Sequence, residues 1–275
     1  MLDSLRMDGK RVIVTGAGRG LGRQMALHLA DAGADIICAA RTQSQIAAVA
    51  KEIEAKGRQA LVIPTDVSDS SQVDALVQQT IDEWGGFEVM LANAGASGPA
   101  SMKHVTEISD EDWHETVDIN LSSVFYSARA AVRHFLAAEK PGNIITVSSG
   151  TSLRGSGLQF FVDGVAKAGV INLTQSLAIQ LARNQIRVNC IVPGFILQQT
   201  LEDEEEIEVA RNQGSRIPIR RVGEAWELGP LAVYLASDAS SYMTGEAFII
   251  DGGGLAGGLA PTAWDVQSGI GGVPS

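Results

Sequence analysis

The chain is short of cysteine and of positive charge, and it lacks any apolar run of membrane-spanning length. Its 275 residues include two cysteines, Cys38 and Cys190, each set inside an apolar run. Buried, unreactive thiols follow from that placement, not a disulfide framework or a thiolate metal site. The four histidines, His28, His104, His114 and His134, show no ligand spacing, so no structural metal is expected. Lysine and arginine number 21 against 32 acids, a formal net charge of -11. Such a balance argues against nucleic acid or an anionic membrane as a partner. Met1 to Lys10 is polar and charged, unlike a secretory h-region, and no segment is apolar for long enough to span a bilayer. The expectation is a soluble, cytoplasmic protein.

What the chain does have is core material. Hydrophobic residues make up 45%, which suits one large α/β domain of this length. Short β-rich runs alternate with longer helical patterns. The predicted strands are Arg11 to Thr15, Asp35 to Ala40, Ala60 to Pro64, Phe87 to Leu91, Asn143 to Val147, Ile186 to Val192 and Ala247 to Ile250. Between them, Leu21, Met25 and Leu29 mark one helix, and Gln45 to Lys56 a second. Val73, Leu76, Val77 and Ile81 mark a third, and long helices are predicted over Trp113 to Leu136 and Asp163 to Arg183. A last helix lies near Trp226 to Ala236. Near-continuous apolar strands alternating with helices imply a parallel sheet covered on both faces. The acidic run from Leu201 to Val209 reads as the solvated face of a surface helix, and Gly252 to Ser275 as an extended glycine-rich tail that either packs on something or stays mobile.

Thr15-Gly16-Ala17-Gly18-Arg19-Gly20-Leu21-Gly22 lies between the first strand and the first helix. Glycines there let backbone N–H groups approach a pyrophosphate, and the helix N-terminus favours its charge. Strand before and helix after raise this above a bare glycine-rich turn. The second strand ends Ala39-Ala40-Arg41-Thr42 without a carboxylate for the adenosine ribose. Arg41 and Arg19 can instead clamp a 2′-phosphate, which favours NADP(H), with NAD(H) left open. Asp66-Val67 after the third strand is placed to receive the adenine amino group, or else Asp66 is a turn residue.

With these motifs the chain resembles the classical short-chain dehydrogenase/reductase family. Thr15-Gly16-x-x-x-Gly20-x-Gly22 matches its cofactor loop, and Asn93-Ala94-Gly95 its motif after the fourth strand. Asn120 matches the active-site asparagine, Ser148-Ser149 the region of the serine, and Pro193-Gly194 the motif after the sixth strand. Arg221 to Glu224, Ser237-Asp238, Thr244-Gly245 and Asp251-Gly252-Gly253 resemble its C-terminal signature, so the likeness runs from about Gly9 to Gly254. It implies a single-domain, doubly wound Rossmann fold with a seven-stranded parallel sheet, assembled as a homotetramer or dimer. It further implies an alcohol/carbonyl substrate, with a lid over residues 194–224.

One position departs from the family. Its active helix reads Tyr-x-x-x-Lys, whereas here it reads Asp163-x-x-x-Lys167. The spacing back to Ser149 is 163 − 149, fourteen residues, one more than the family's usual thirteen. Ser149 is taken as the serine, with Ser148 as fallback, and the usual spacing would put Gly150 there. The resemblance assigns proton delivery to the tyrosine position, ribose binding to Lys167, the substrate oxygen to Ser149 and a proton-relay water to Asn120. A free aspartate titrates near ~3.9 and has no proton to give at neutral pH. Losing a positioned general acid typically costs about 10²–10⁴-fold. Asp163 is therefore either an altered proton-transfer group or a helix N-cap or surface partner of Lys167. The readings are an oxidoreductase with a modified relay, a dinucleotide-binding protein with little turnover, and non-redox general-base chemistry. Phe195, Ile196 and Leu197, with Leu158, Phe160, Phe161 and Val162, suggest an apolar pocket wall. No arginine cluster for a substrate carboxylate is identifiable along the chain.

Overall fold

The computed structural model describes residues 2–156, 160–198 and 203–257. Leu158, the start of the acidic run and the tail beyond residue 257 lie outside the described residues.

Seven strands form one parallel sheet: β1 (Arg11–Thr15), β2 (Asp35–Ala40), β3 (Ala60–Pro64), β4 (Val89–Ala92), β5 (Gly142–Val147), β6 (Ile186–Pro193) and, last in the chain, β9 (Ala247–Ile250). Their order is β3-β2-β1-β4-β5-β6-β9. Every residue of β4 and β5 is buried, as a sheet covered on both faces requires. Two two-residue strands, β7 (Ile196–Leu197) and β8 (Gly223–Glu224), pair separately above it.

The helices divide by face. On one side α1 (Gly20–Asp31), α2 (Gln43–Ala55) and α8 (Gly229–Ala236) close over Val12, Val14 and Ile36, with Met25, Leu29, Ile46 and Leu235 buried among them. On the other, α3 (Ser70–Trp84), α5 (Ser123–Ala137) and α6 (Phe161–Leu181) cover Ile13, Ile37 and Ile144 through Val73, Leu76, Phe135 and Leu181. Cys38 and Cys190 are free and buried, and burial pushes the Cys38 thiol up to about 12, so it is inert as a nucleophile. No helix among the described residues is long and apolar enough to cross a membrane.

Chain order reverses between β1 and β4, which are neighbours in the sheet although β2 and β3 leave on the far side. A crevice opens at the carboxyl ends of strands where such a reversal occurs. The loops after β1, β4, β5 and β6 all emerge there.

The predicted helix from Trp113 to Leu136 is interrupted. It comprises α4 (Asp110–Val117), a π-helical turn over Asp118–Ser122, and α5. One extra residue per turn leaves the apolar pattern readable as helix but rotates α5 relative to α4. Asn120 sits inside that turn, 1% exposed. The acidic run, from Asp203 onward, is the start of α7 (Glu204–Ser215), whose Asp203 caps Glu205 and Glu206, and its acids are exposed as expected.

Candidate active site

The glycine loop is fastened to the loop after β4 by two side chains. Thr15 Oγ1 accepts from the N–H groups of Asn93 (3.0 Å) and Ala94 (3.1 Å), and Asn93 Nδ2 donates to the Thr15 carbonyl at 2.9 Å. The crossing leaves no room for side chains. A Cβ at Gly16 would lie 2.9 Å from Asn93 Nδ2, and one at Gly22 would collide with the Gly16 carbonyl. Gly16 and Gly20 have φ of 70° and 55°, the left-handed region that glycine enters freely.

Helix α1 begins directly on this loop. Its N-cap is Arg19, with no side-chain cap and no acid in the first turn. The N–H groups of Gly20, Leu21 and Gly22 at the cleft have no hydrogen-bond partner among the described residues, the arrangement a phosphate completes. Arg19 and Arg41 are exposed at its edge, and neither side chain has a partner among the described residues. Asp66 Oδ1 accepts from Ser68 N–H and Oγ at 3.0 and 2.7 Å, so it does form a turn, with Oδ2 left over. Of the residues expected to bind the cofactor or act in catalysis, all but Thr15 line one cleft of about 2490 Å³. That includes Gly18, Leu21, Val67, Pro193 and Gly194. Thr15 is 1% exposed and acts from beneath. The donors, glycines and unpaired cations of this half fit a dinucleotide.

At the centre, Asn120 clamps one residue of the β4 loop from both ends. Its Nδ2 donates to the Ala96 carbonyl at 2.7 Å and its Oδ1 accepts from Ala96 N–H at 3.3 Å. Beside it, a Cβ at Gly95 would lie 2.9 Å from Asn120 Oδ1 and 3.0 Å from Lys167 Nζ, so glycine keeps the cleft floor open. Lys167 is 9% exposed and donates to the Val147 carbonyl at 3.0 Å. Burial pulls its ammonium down from 10.5 to about 8, outweighing the upward pull of Cys190 and Asp163.

The two serines separate by role. Ser148 is 4% exposed and donates to the Lys167 carbonyl at 2.8 Å, tying β5 to α6. Ser149 is half-buried and accepts from Thr151 N–H and Oγ1 at 3.3 and 3.0 Å. Its own proton is left free to donate. Gly150 only opens the short 3-10 turn Gly150–Leu153 after it.

Asp163 is neither a helix cap nor a surface partner of Lys167, two readings its sequence position allowed. Phe160 occupies the N-cap, at φ 63°, which makes Asp163 the third helical residue, and it is 7% exposed. Lys167 reaches to β5, while Asp163 turns to the loop after β4. Its Oδ2 accepts from Ser101 Oγ at 2.8 Å, and its Oδ1 faces Gly98 N–H (3.4 Å) and Asn120 Nδ2 (3.5 Å). All three contacts set N–H or O–H groups of the described residues against its carboxyl oxygens. Sequence reasoning missed Ser101 and Gly98. They lie more than sixty residues away in a stretch with no motif, and only the fold could reveal them.

The far wall comes from the segment after β6 and from the C-terminal turn. Gly194 packs against Asp251, where a Cβ would lie 2.6 Å from the Asp251 Cβ. Asp251 in turn accepts from Gly253 and Leu255 N–H at 2.9 and 2.6 Å. Residues 252–257, the described part of the glycine-rich tail, form a turn packed against Ile217 and Ile219. Phe160 and Phe195 line the cleft as expected, whereas Val162 is wholly buried in the core.

A family model described as enoyl-(acyl carrier protein) reductase matches residues 16–254. Among curated proteins, (-)-trans-carveol dehydrogenase of Rhodococcus erythropolis is 32% identical, over 90% of this chain and 98% of that protein. A 2-dehydro-3-deoxy-D-gluconate 5-dehydrogenase of Escherichia coli is 33% identical over 93% and 99%. Among solved structures, a short-chain type dehydrogenase/reductase from Mycobacterium marinum superposes with a TM-score of 0.85 at 37% identity, covering 92% of this chain and 98% of that one. A gluconate 5-dehydrogenase from Burkholderia cenocepacia, in complex with NADP and tartrate, gives 0.83 at 30% identity, covering 93% and 98%.

The buried lysine makes stability depend on pH. The folded chain holds Lys167 at about 8 against 10.5 for a free lysine, so between these values the unfolded chain binds more protons. Stability therefore rises with pH across that window, and below it the cost of burying the ammonium stands in full. Urea denaturation of wild type and Lys167→Met should show the wild type gaining roughly 3 kcal/mol on the variant from the lower to the upper value. Parallel profiles would mean that Lys167 is not buried as an ammonium.

Proposed function

This chain belongs to the classical short-chain dehydrogenase/reductase family, and we propose that within it the protein is an NADP(H)-dependent oxidoreductase acting on an alcohol or carbonyl substrate through an altered proton relay. The observation that carries the reading is the convergence of the glycine loop, Lys167, Ser149 and Asp163 on one cleft. A bound nicotinamide supplies the hydride chemistry. The chain's own residues bind and orient. The free N–H groups of α1 take the pyrophosphate, Arg19 and Arg41 take the 2′-phosphate, and Asp66 and Val67 border the adenine. Complexes of related enzymes with NADP support that choice over NAD(H).

Lys167 holds two hydrogens beyond its bond to Val147, and these serve the ribose hydroxyls. Ser149, already accepting from Thr151, donates its proton to the substrate oxygen. Asn120 fixes Ala96 and with it the floor on which the nicotinamide lies. Asp163, surrounded by donors, acts as a proton acceptor through water. That polarity favours alcohol oxidation over carbonyl reduction. The segment over 194–224 serves as the lid. A second reading, a dinucleotide-binding protein with little turnover, draws support from the short bond of Asp163 to Ser101, because it occupies one carboxylate oxygen.

Nicotinamide absorbance, followed with a panel of alcohols and carbonyl compounds, separates the readings. The oxidoreductase should change it with at least one alcohol, and Asp163→Asn should lower that rate about 10²–10⁴-fold with dinucleotide affinity kept. Tight binding without turnover would favour the second reading, and product formed at constant absorbance would favour non-redox chemistry. Arg41→Ala should weaken NADPH roughly tenfold or more, as loss of a charge-assisted contact does, and leave NADH nearly unaffected in a fluorescence titration. Equal effects on both would remove Arg41 from the 2′-phosphate.

A further inference from the structure

The cleft carries more positive charge than a dinucleotide uses. In this acidic chain Arg6, Arg11, Arg23 and Arg58 each meet a carboxylate. Arg19, Arg41, Arg154, Arg216 and Arg220 have no such partner among the described residues, and all five line the cleft.

Sheet order sorts them into two groups. Arg19 and Arg41 follow β1 and β2. Arg154 follows β5, while Arg216 and Arg220 flank Ile217 and Ile219, which pack on Gly252 just after β9. Strands β2 and β5 are three places apart in the sheet, about 14 Å at the usual strand spacing. The second group therefore stands on the side of Ser149, away from the adenosine end. None of the acids on that side forms an ion pair with these arginines among the described residues; those nearest the cleft take neutral donors. Asp251 accepts from Gly253 and Leu255, Glu224 from Trp226 Nε1 at 2.7 Å, and Asp163 from Ser101. Arg220 is also held at φ 64°, a left-handed conformation that residues with side chains avoid. A hydrogen bond from its guanidinium to the Ser215 carbonyl at 2.7 Å fixes it there, one turn of chain from Arg216.

We propose that Arg154 and Arg216, with Arg220, bind an anionic group of the substrate, a carboxylate or a phosphate. The substrate is then an alcohol or carbonyl compound that carries an acid. A guanidinium fork matches either anion with paired hydrogen bonds. Phe195 and Trp226, 45% and 49% exposed in the same cleft, offer apolar surface to the body of such a molecule. The inference rests on the oxidoreductase reading for its turnover, and on the arginines alone for its binding.

The test has two arms. In the first, wild type with NADP is assayed on matched pairs: lactate and methyl lactate, β-hydroxybutyrate and its methyl ester, glycerol phosphate and glycerol. The charged member should be preferred in kcat/KM roughly tenfold or more, and Arg154→Gln/Arg216→Gln should bring the preference toward unity. Whichever pair responds tells carboxylate from phosphate. Neutral members handled as well as charged ones, or a preference that the double variant keeps, overturns the proposal. In the second arm malonate and inorganic phosphate are titrated calorimetrically into NADP-loaded protein. If no pair changes nicotinamide absorbance, turnover gives no readout and this arm decides the anion site by itself. Heat that disappears in the double variant supports the site, and no heat with wild type overturns it.

Discussion

Two loops are locked together by Thr15 and Asn93, and the rest of the site is laid out from that lock. Three hydrogen bonds between 2.9 and 3.1 Å join the end of β1 to the chain after β4. These strands are neighbours only because the sheet reverses its order there. Without the lock the glycine loop and the Asn93-Ala94-Gly95 loop would be two independent turns, each with backbone groups to satisfy. With it, they form one rigid wall on which α1 presents its uncapped N-terminus.

The opposite wall is organised by the π-helical turn and by α6. Asn120 spends its amide on Ala96, so the floor beneath Gly95 cannot drift away from Lys167. Ser148 ties α6 to β5 through the Lys167 carbonyl, which sets the height of both Lys167 and Asp163. A carboxylate is short compared with a phenol. Its reach is spent on Ser101 and Gly98, which draws the β4 loop against α6. Asp163 is thus part of what holds the substrate side together.

Much of this was legible in the sequence because local physics imposed it. Strands buried on both faces must be apolar throughout, and Arg11–Thr15 and Asp35–Ala40 were readable to the residue. The glycine loop was readable because only glycine tolerates the approach of Asn93 and the Gly16 carbonyl. The π turn was not, since an inserted residue leaves helical apolar spacing intact on either side. Thr15 was expected at the cofactor and lies beneath the cleft surface, because a motif gives proximity without direction. Ser101 and the arginine pair at 154 and 216 belong to segments far apart in the chain and without periodicity, so nothing local marks them.

The whole site depends on the lock between the two loops and its grip on a dinucleotide. The most direct measurement is NADPH titration of wild type and Asn93→Ala by cofactor fluorescence, with circular dichroism confirming that the variant is folded. Wild type should bind, and the variant should bind roughly tenfold or more weakly, as loss of a buried hydrogen bond that shapes the loop predicts. No binding by wild type, or equal binding by a folded variant, would contradict it.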